Sequence, residues 1–225
     1  MDEMTQSKSA AAQSWLVTSD AVLRGLNHEF SSRLSLARLA PQLSAMLAAG
    51  EPGMQKLADD AGRSEDLFNL LRLYRLMVFT SNDPSEPLLV SDVVGDAVAL
   101  FKHHSTFRDL DVQVNAAGTI PPVLMNPGAL TQAVLLLICA TARQLDVAPG
   151  DTGTIVLGFS ADTDAVRISA QAADAGHYAA TGELPELPAL RYLIRDVEGA
   201  VDVTRGGATM SIGTLVRLRQ REKRG

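Results

Sequence analysis

Few groups in this chain suit chemistry, and the stretch Leu26-Asn27-His28-Glu29-Phe30-Ser31-Ser32-Arg33-Leu34 concentrates them. An α-helix turns by about 100° per residue, so His28 lies about 200° from both Leu26 and Phe30 and points away from the face those residues bury. It is expected to stand in solvent. Histidine titrates near neutrality and its imidazole is a nucleophile, so an exposed histidine on a rigid helix suits reversible covalent chemistry. Glu29 could orient the ring or accept its proton, although its side chain projects about 100° further round the helix. Ser32, Ser35 and Leu39 follow four, seven and eleven positions after His28, within about 40° of the same stripe. Small residues there admit close approach of another protein, and an apolar Leu39 on a solvent stripe reads as a docking contact.

The element that must carry His28 is the first of two amphipathic helices separated by the breaker Gly50-Glu51-Pro52-Gly53. Leu16, Leu23, Leu26, Phe30, Leu34 and Ala37 fall within a sector of about 80°, and Pro41 is expected to kink the helix or end it early. The second helix places Leu57, Ala61, Leu67, Phe68, Leu71, Tyr74 and Val78 at mostly three- and four-residue spacing. Two such helices bury too little to be stable alone, which predicts a parallel homodimer forming a four-helix bundle. Residues 1–14 are expected to be a flexible N-terminus, 15–80 the helical hairpin, and 81–87, with two prolines among small polar residues, a linker.

Beyond the linker, helix and strand signals alternate. Residues 88–90, 112–114, 154–159, 166–170, 200–203 and 210–218 read as strands, with a turn at 161–164 and another around Arg205-Gly206-Gly207. Ser91 is expected to cap a helix carrying Val93, Val94, Ala97, Val98 and Phe101. Residues 128–145 form an apolar, buried helix, and Leu187, Leu190, Ile194 and Val197 mark a last one. The fold class is therefore α+β, a helical hairpin followed at 88–218 by an α/β sandwich with a mixed sheet and helices on one face. Residues 219–225 are left as a basic tail.

Composition narrows the function. The 225 residues carry 20 Lys+Arg against 26 Asp+Glu, a net charge of −6, with 4% aromatic residues. This excludes a general nucleic-acid binder, which needs a basic face and stacking rings. The longest apolar run, 133–142, is about half the ~20 residues that span a bilayer. With the single cysteine Cys139, the reading is a cytoplasmic protein without disulfides. Asp151-Thr152-Gly153 reads as a turn, His103-His104 as a helix end without a third ligand at metal spacing, and 158–162 as a strand that fails the nucleophile-elbow pattern.

The run His28-Glu29-Phe30-Ser31-Ser32-Arg33-Leu34 resembles the H-box of two-component histidine kinases, in which a phosphoaccepting histidine precedes an acidic residue. The hairpin looks like their dimerisation and phosphotransfer domain, and the element order at 88–218 is similar to their ATP-binding domain. The chain departs from that family where nucleotide is held. On the helix that resembles the N-box, Leu136 and Ala140 stand where asparagines hold metal and phosphates, and neither offers the hard oxygen Mg²⁺ wants. Ala172, Asp174 and Gly176 occupy the three positions of the next box, so the adenine-binding Asp is replaced by Ala172. The Gly-rich lid is represented by Gly182-Glu183-Leu184-Pro185-Glu186, which lacks glycines to wrap phosphates.

A phosphoacceptor hairpin joined to a kinase-like domain without an ATP site is similar to histidine phosphotransferases of the ChpT type. The resemblance implies that His28 relays phosphate between response-regulator receiver domains, a hybrid histidine kinase being one source. It further implies no cofactor on this chain, and Mg²⁺ in the partner receiver. The family commonly has Asp where this chain has Glu29. Two other readings are a noncatalytic pseudokinase scaffold that binds receivers or a kinase, and a divergent ATP-dependent kinase.

Overall fold

The computed structural model describes residues 3–48, 64–78, 84–116, 118–145, 152–173 and 184–217. Two helices come first: α1 (Glu3–Ala48) and α2 (Ser64–Leu76). Then follow β1 (Glu86–Leu88), α3 (Val90–Phe101), β2 (Asp111–Ala116), β3 (Val123–Met125) and α4 (Pro127–Ala142). The chain continues through β4 (Thr154–Ala161), β5 (Ala165–Ala172), α5 (Leu187–Ile194), a 3₁₀ turn at Arg195–Val197, β6 (Ala200–Thr204) and β7 (Gly207–Gly213). The class is α+β, as the sequence predicts.

The main sheet has the order β2-β4-β5-β7-β6; β2 runs parallel to β4 and the other neighbours are antiparallel. Alternation decides its two faces. Ile155, Leu157, Val166, Ile168, Ala170, Ala208, Met210 and Ile212 turn inward and are buried, whereas Arg167, Ser169 and Thr209 face outward. Asp162 closes the β4–β5 turn, its Oδ1 accepting from the N–H groups of Asp164 (3.0 Å) and Ala165 (2.8 Å). The β6–β7 hairpin turns on two residues, and Gly206 supplies the left-handed conformation (φ 78°) that a side chain disfavours. A separate two-stranded sheet pairs β1 with β3.

The helix α4 is the axis of the core. Asn126 caps it by accepting from Ala129 N–H (2.8 Å), Pro127 fits its first turn, and every residue from 130 to 142 is buried. Such a helix, apolar all round, can exist only when covered on all sides. It lies between α3, α5 and the sheet.

Four expectations need correction. Residues 3–14 are helical, because Ala11, Ser14 and Trp15 are buried and α1 packs along α5. Of the two outcomes expected at Pro41, an early end does not occur, since α1 runs on to Ala48. Ser91 is not the cap of α3: the helix starts at Val90 with Leu89 before it, and Ser91 Oγ lies on Asp92. The last strand stops at Gly213, short of Leu218. The breaker at 50–53, Leu57, Ala61, the linker's first residues, Asp151 and the tail at 219–225 lie outside the described residues.

Candidate functional site

The buried face of α1 overlaps the one that the leucines mark only in part: Leu26 is buried and Leu23 and Phe30 pack against the core. Ala11, Trp15, Thr18, Val22 and Leu26 are buried, while Leu16 is 65% exposed and Leu34 42%. Small residues turn toward α5 and permit the close approach that larger ones would block. Ser14 donates to the carbonyl of Pro185 and accepts from Ala189 N–H (3.2 Å). Because Glu186, at the start of α5, makes no side-chain cap, a serine distant in sequence satisfies a donor of that first turn.

One helical turn before His28, Gly25 meets the C-terminal part of the chain. A Cβ there would lie 1.9 Å from the backbone oxygen of His103, so contact at this distance requires glycine. The N–H of Ser105 donates to the carbonyl of Ala21 (3.1 Å). Through these contacts the turn between α3 and β2 is pressed against α1 beside His28. The result is a groove of about 440 Å³ lined by Arg24, His28, Lys102, His103 and Arg108, among others.

The turn is itself firmly built. Nδ1 of His104 accepts from the N–H groups of Thr106 and Phe107, both at 3.2 Å. Its ring stacks on Phe107 at 4.5 Å between centroids, and the Arg143 guanidinium lies over the Phe107 ring at 5.6 Å. Burial and the nearby Arg143 charge lower the His104 pKa to about 4. A neutral, accepting His104 is a structural member of the turn. His103, half-buried on the groove, has its pKa lowered by burial and opposed by Glu29.

His28 is exposed, on the side expected from its phase. Ser32, Ser35 and Leu39 are exposed as well, Leu39 by 46%. The carboxylate of Glu29 accepts from Arg33 Nε (2.7 Å), and Arg33 also reaches Asp66 on α2 (2.9 Å). Glu29 thus helps brace the two helices together. Tyr74 adds a second link, donating to Asn27 (3.0 Å).

The other candidate positions lie on α4 and β5. Leu136 and Ala140 are fully buried, and Ala140 packs with Leu184, Leu187 and the partly buried Val201. Arg143 clamps this corner shut through Glu186, at 2.7 and 2.8 Å to one carboxylate oxygen. Cys139 is buried among them; its thiol pKa is pushed up by burial and by Glu186. Gln144 donates to the carbonyl of Gly207 (3.1 Å) and accepts from Gly206 N–H (3.1 Å), tying α4 to the β6–β7 hairpin. At the end of β5, Ala172 N–H donates to Gly206 (2.9 Å). Asp174, Gly176, Gly182 and Glu183 lie outside the described residues. Magnesium nucleotide does not fit these α4 positions: they present methyl groups where oxygen donors are needed, and leucines occupy the space beside them.

The groove brings Lys102, His103 and Arg108 to His28 across some seventy-five residues of sequence. Sequence reasoning missed the two cations and read His103 only against a metal. The available signal was a basic, histidine-containing helix end in an acidic chain.

No family model matches this chain, and no curated protein is similar to it by sequence. Among solved structures it is similar to the histidine kinase AdeS of Acinetobacter baumannii, at 14% identity and a TM-score of 0.45, over 84% of this chain and 98% of that one. The histidine kinase domain of a blue-light-activated kinase from Erythrobacter litoralis gives 15%, 0.45, 84% and 98%. The nucleotide-free catalytic domain of the histidine kinase ThkA gives 14%, 0.45, 59% and 95%. At such identities a likeness concerns the course of the chain and transfers no residue's role. No described helix is long and apolar enough to cross a membrane.

Proposed function

We propose that this chain is a phosphorelay histidine phosphotransferase, passing a phosphoryl group between receiver-domain aspartates through His28 without ATP. The observation that supports it is a contrast within one molecule: His28 stands exposed on an open basic groove, while Leu136 and Ala140 are buried against apolar side chains. A lone pair of the His28 imidazole attacks the phosphorus of an aspartyl phosphate. The N–P bond forms as the P–O bond breaks, and the electron pair leaves on the aspartate carboxylate. Attack by a second receiver's aspartate reverses these bonds. Charge in the in-line transition state is met by positioning and electrostatics, with Mg²⁺ held by the receiver. Ser32, Ser35 and Leu39 form the docking stripe beside the acceptor.

The same reading includes a homodimer. Phe68 (70% exposed) and Leu71 on α2, Val78 (57%) just beyond it, and Leu16 and Val17 on α1 leave apolar side chains exposed along the hairpin. A second copy covers such side chains at least cost to solubility. Light scattering is expected to return about twice 23.9 kDa, and a monomer at micromolar concentration removes the bundle.

The decisive experiment incubates the protein with phosphorylated receivers. Transfer is expected to yield an acid-labile, alkali-stable phosphoprotein, and His28→Ala is expected to abolish it without changing oligomeric state or thermal stability, an exposed helical site contributing little to folding. Acceptance by His28→Ala at the normal rate, or labelling from ATP, overturns the proposal. Binding of receivers without transfer replaces it by the scaffold reading.

A further inference from the structure

We propose that the turn between α3 and β2 supplies the cationic half of the site: Lys102 and Arg108 receive the phosphoryl oxygens and acidic pocket of a receiver docked at His28. The inference rests on the phosphotransfer reading above and adds to it a contribution from the kinase-like part of the chain.

Three observations carry it. The groove has His28 on one wall and Lys102 and Arg108 on another, and its volume of about 440 Å³ admits a phosphoryl group with the side chain that bears it. Its charge runs against that of the whole chain, which is −6, so the local field favours an anionic partner where the average surface repels one. The nearby acids do little to cancel it: Glu29 is engaged by Arg33 at 2.7 Å, and Asp109 lies 3.9 Å from Arg108 in an exposed pair, which is worth little. Arg24 is held by Asp20 at 2.6 Å, so the weight falls on Lys102 and Arg108.

The placement is also held fixed. Gly25 against His103, Ser105 bonded to Ala21, and His104 accepting from two N–H groups of its own turn leave the loop one position relative to α1. A fixed backbone beneath the two cations limits the reorganisation needed when charge develops. Phosphoryl transfer asks for this arrangement, since three equatorial oxygens must be neutralised at once.

The test uses the full chain and a phosphorylated receiver. Lys102→Gln with Arg108→Gln is expected to lower kcat/KM for transfer to His28 by about 10- to 100-fold at low salt and to flatten its dependence on ionic strength. The exchange Lys102→Arg with Arg108→Lys keeps the charge and is expected to stay within about threefold. Thermal stability is expected to be unaltered in both. An unchanged rate and salt slope in the glutamine variant, with transfer abolished in His28→Ala, overturns the groove assignment alone. Transfer that survives His28→Ala overturns the phosphotransfer reading beneath it.

Discussion

The groove beside His28 and the corner around Ala140 are two regions of this molecule with opposite surfaces. The first is walled by a helix and a turn from different parts of the chain, and its lining is polar, charged and open to solvent. The second is walled by two helices and a strand, and leucine, alanine and valine side chains fill it. The difference lies in side-chain chemistry more than in backbone: a site for anions needs donors and access, and the Ala140 corner has neither while the His28 groove has both.

The largest effect comes from making the filled corner polar. Leu136 is fully buried, so Leu136→Asn removes apolar packing and strands an amide, at a cost of about 4 kcal/mol. Ala140→Asn adds bulk and a second buried amide against Leu184 and Leu187 and costs about 2 to 3 kcal/mol. Urea unfolding measures both, and neither variant is expected to bind Mg-ATP in calorimetry. A stable variant with micromolar ATP affinity breaks the comparison, because the corner would then be a nucleotide site lacking only its asparagines.

The back of the groove is expected to be acid-sensitive through His104. Its pKa falls from 6.5 to about 4 in the folded chain, so between those values the unfolded chain binds the extra proton and stability rises with pH. The contribution is complete above pH 6.5 and is lost as pH falls toward 4, about 3 kcal/mol in all. Urea midpoints across that window, compared with His104→Gln, isolate it: the variant loses less stability on acidification. Equal acid sensitivity in both proteins removes His104 from the account.

A smaller effect tests how the two walls meet. On an isolated helix Gly25→Ala would gain nearly 1 kcal/mol. Here the added methyl meets the His103 backbone oxygen at 1.9 Å, and backbone must move, so a net loss of about 2 kcal/mol is expected. A melting temperature that rises instead would show that α1 and the α3–β2 turn are not in contact at the groove.

What could be read from the sequence follows from physical range. The buried α4 announces itself as one apolar run, and the alternation in β4 and β5 marks both strands. The three-residue β3 is too short to show a period. The facing of α1 is only partly legible for a different reason: its buried stripe extends over Ala11, Ser14, Thr18 and Ser19, whose smallness lets helices approach but which carry no hydrophobic signal. His28 could be phased because its flanking marks hold: Leu26 is buried and Phe30 packs against the core. Lys102 and Arg108 could not be assigned, since their nearness to His28 arises from long-range packing through Gly25.

The smallest expected effect concerns whether α1 is anchored along its N-terminal half, and so whether the open groove and the filled corner belong to one rigid body. Ser14 joins them: it sits about four turns before His28 on the same helix, and its hydroxyl accepts from Ala189 N–H while donating to the carbonyl of Pro185. Ser14→Ala leaves one buried donor of the first turn of α5 without a partner, which is worth about 1 kcal/mol, the usual cost of a lost helix cap. The alanine is a better helix former at position 14 itself, so a loss of stability can come only from the contact with α5. Hydrogen exchange separates the two contributions by location. Amides at 187–190 are expected to lose protection in the variant, and those of α1 near residue 14 to loosen with them. If exchange in α5 is unchanged and the variant is more stable, α1 does not cap that helix, and the groove and the corner would have to be treated as sites on independently moving parts.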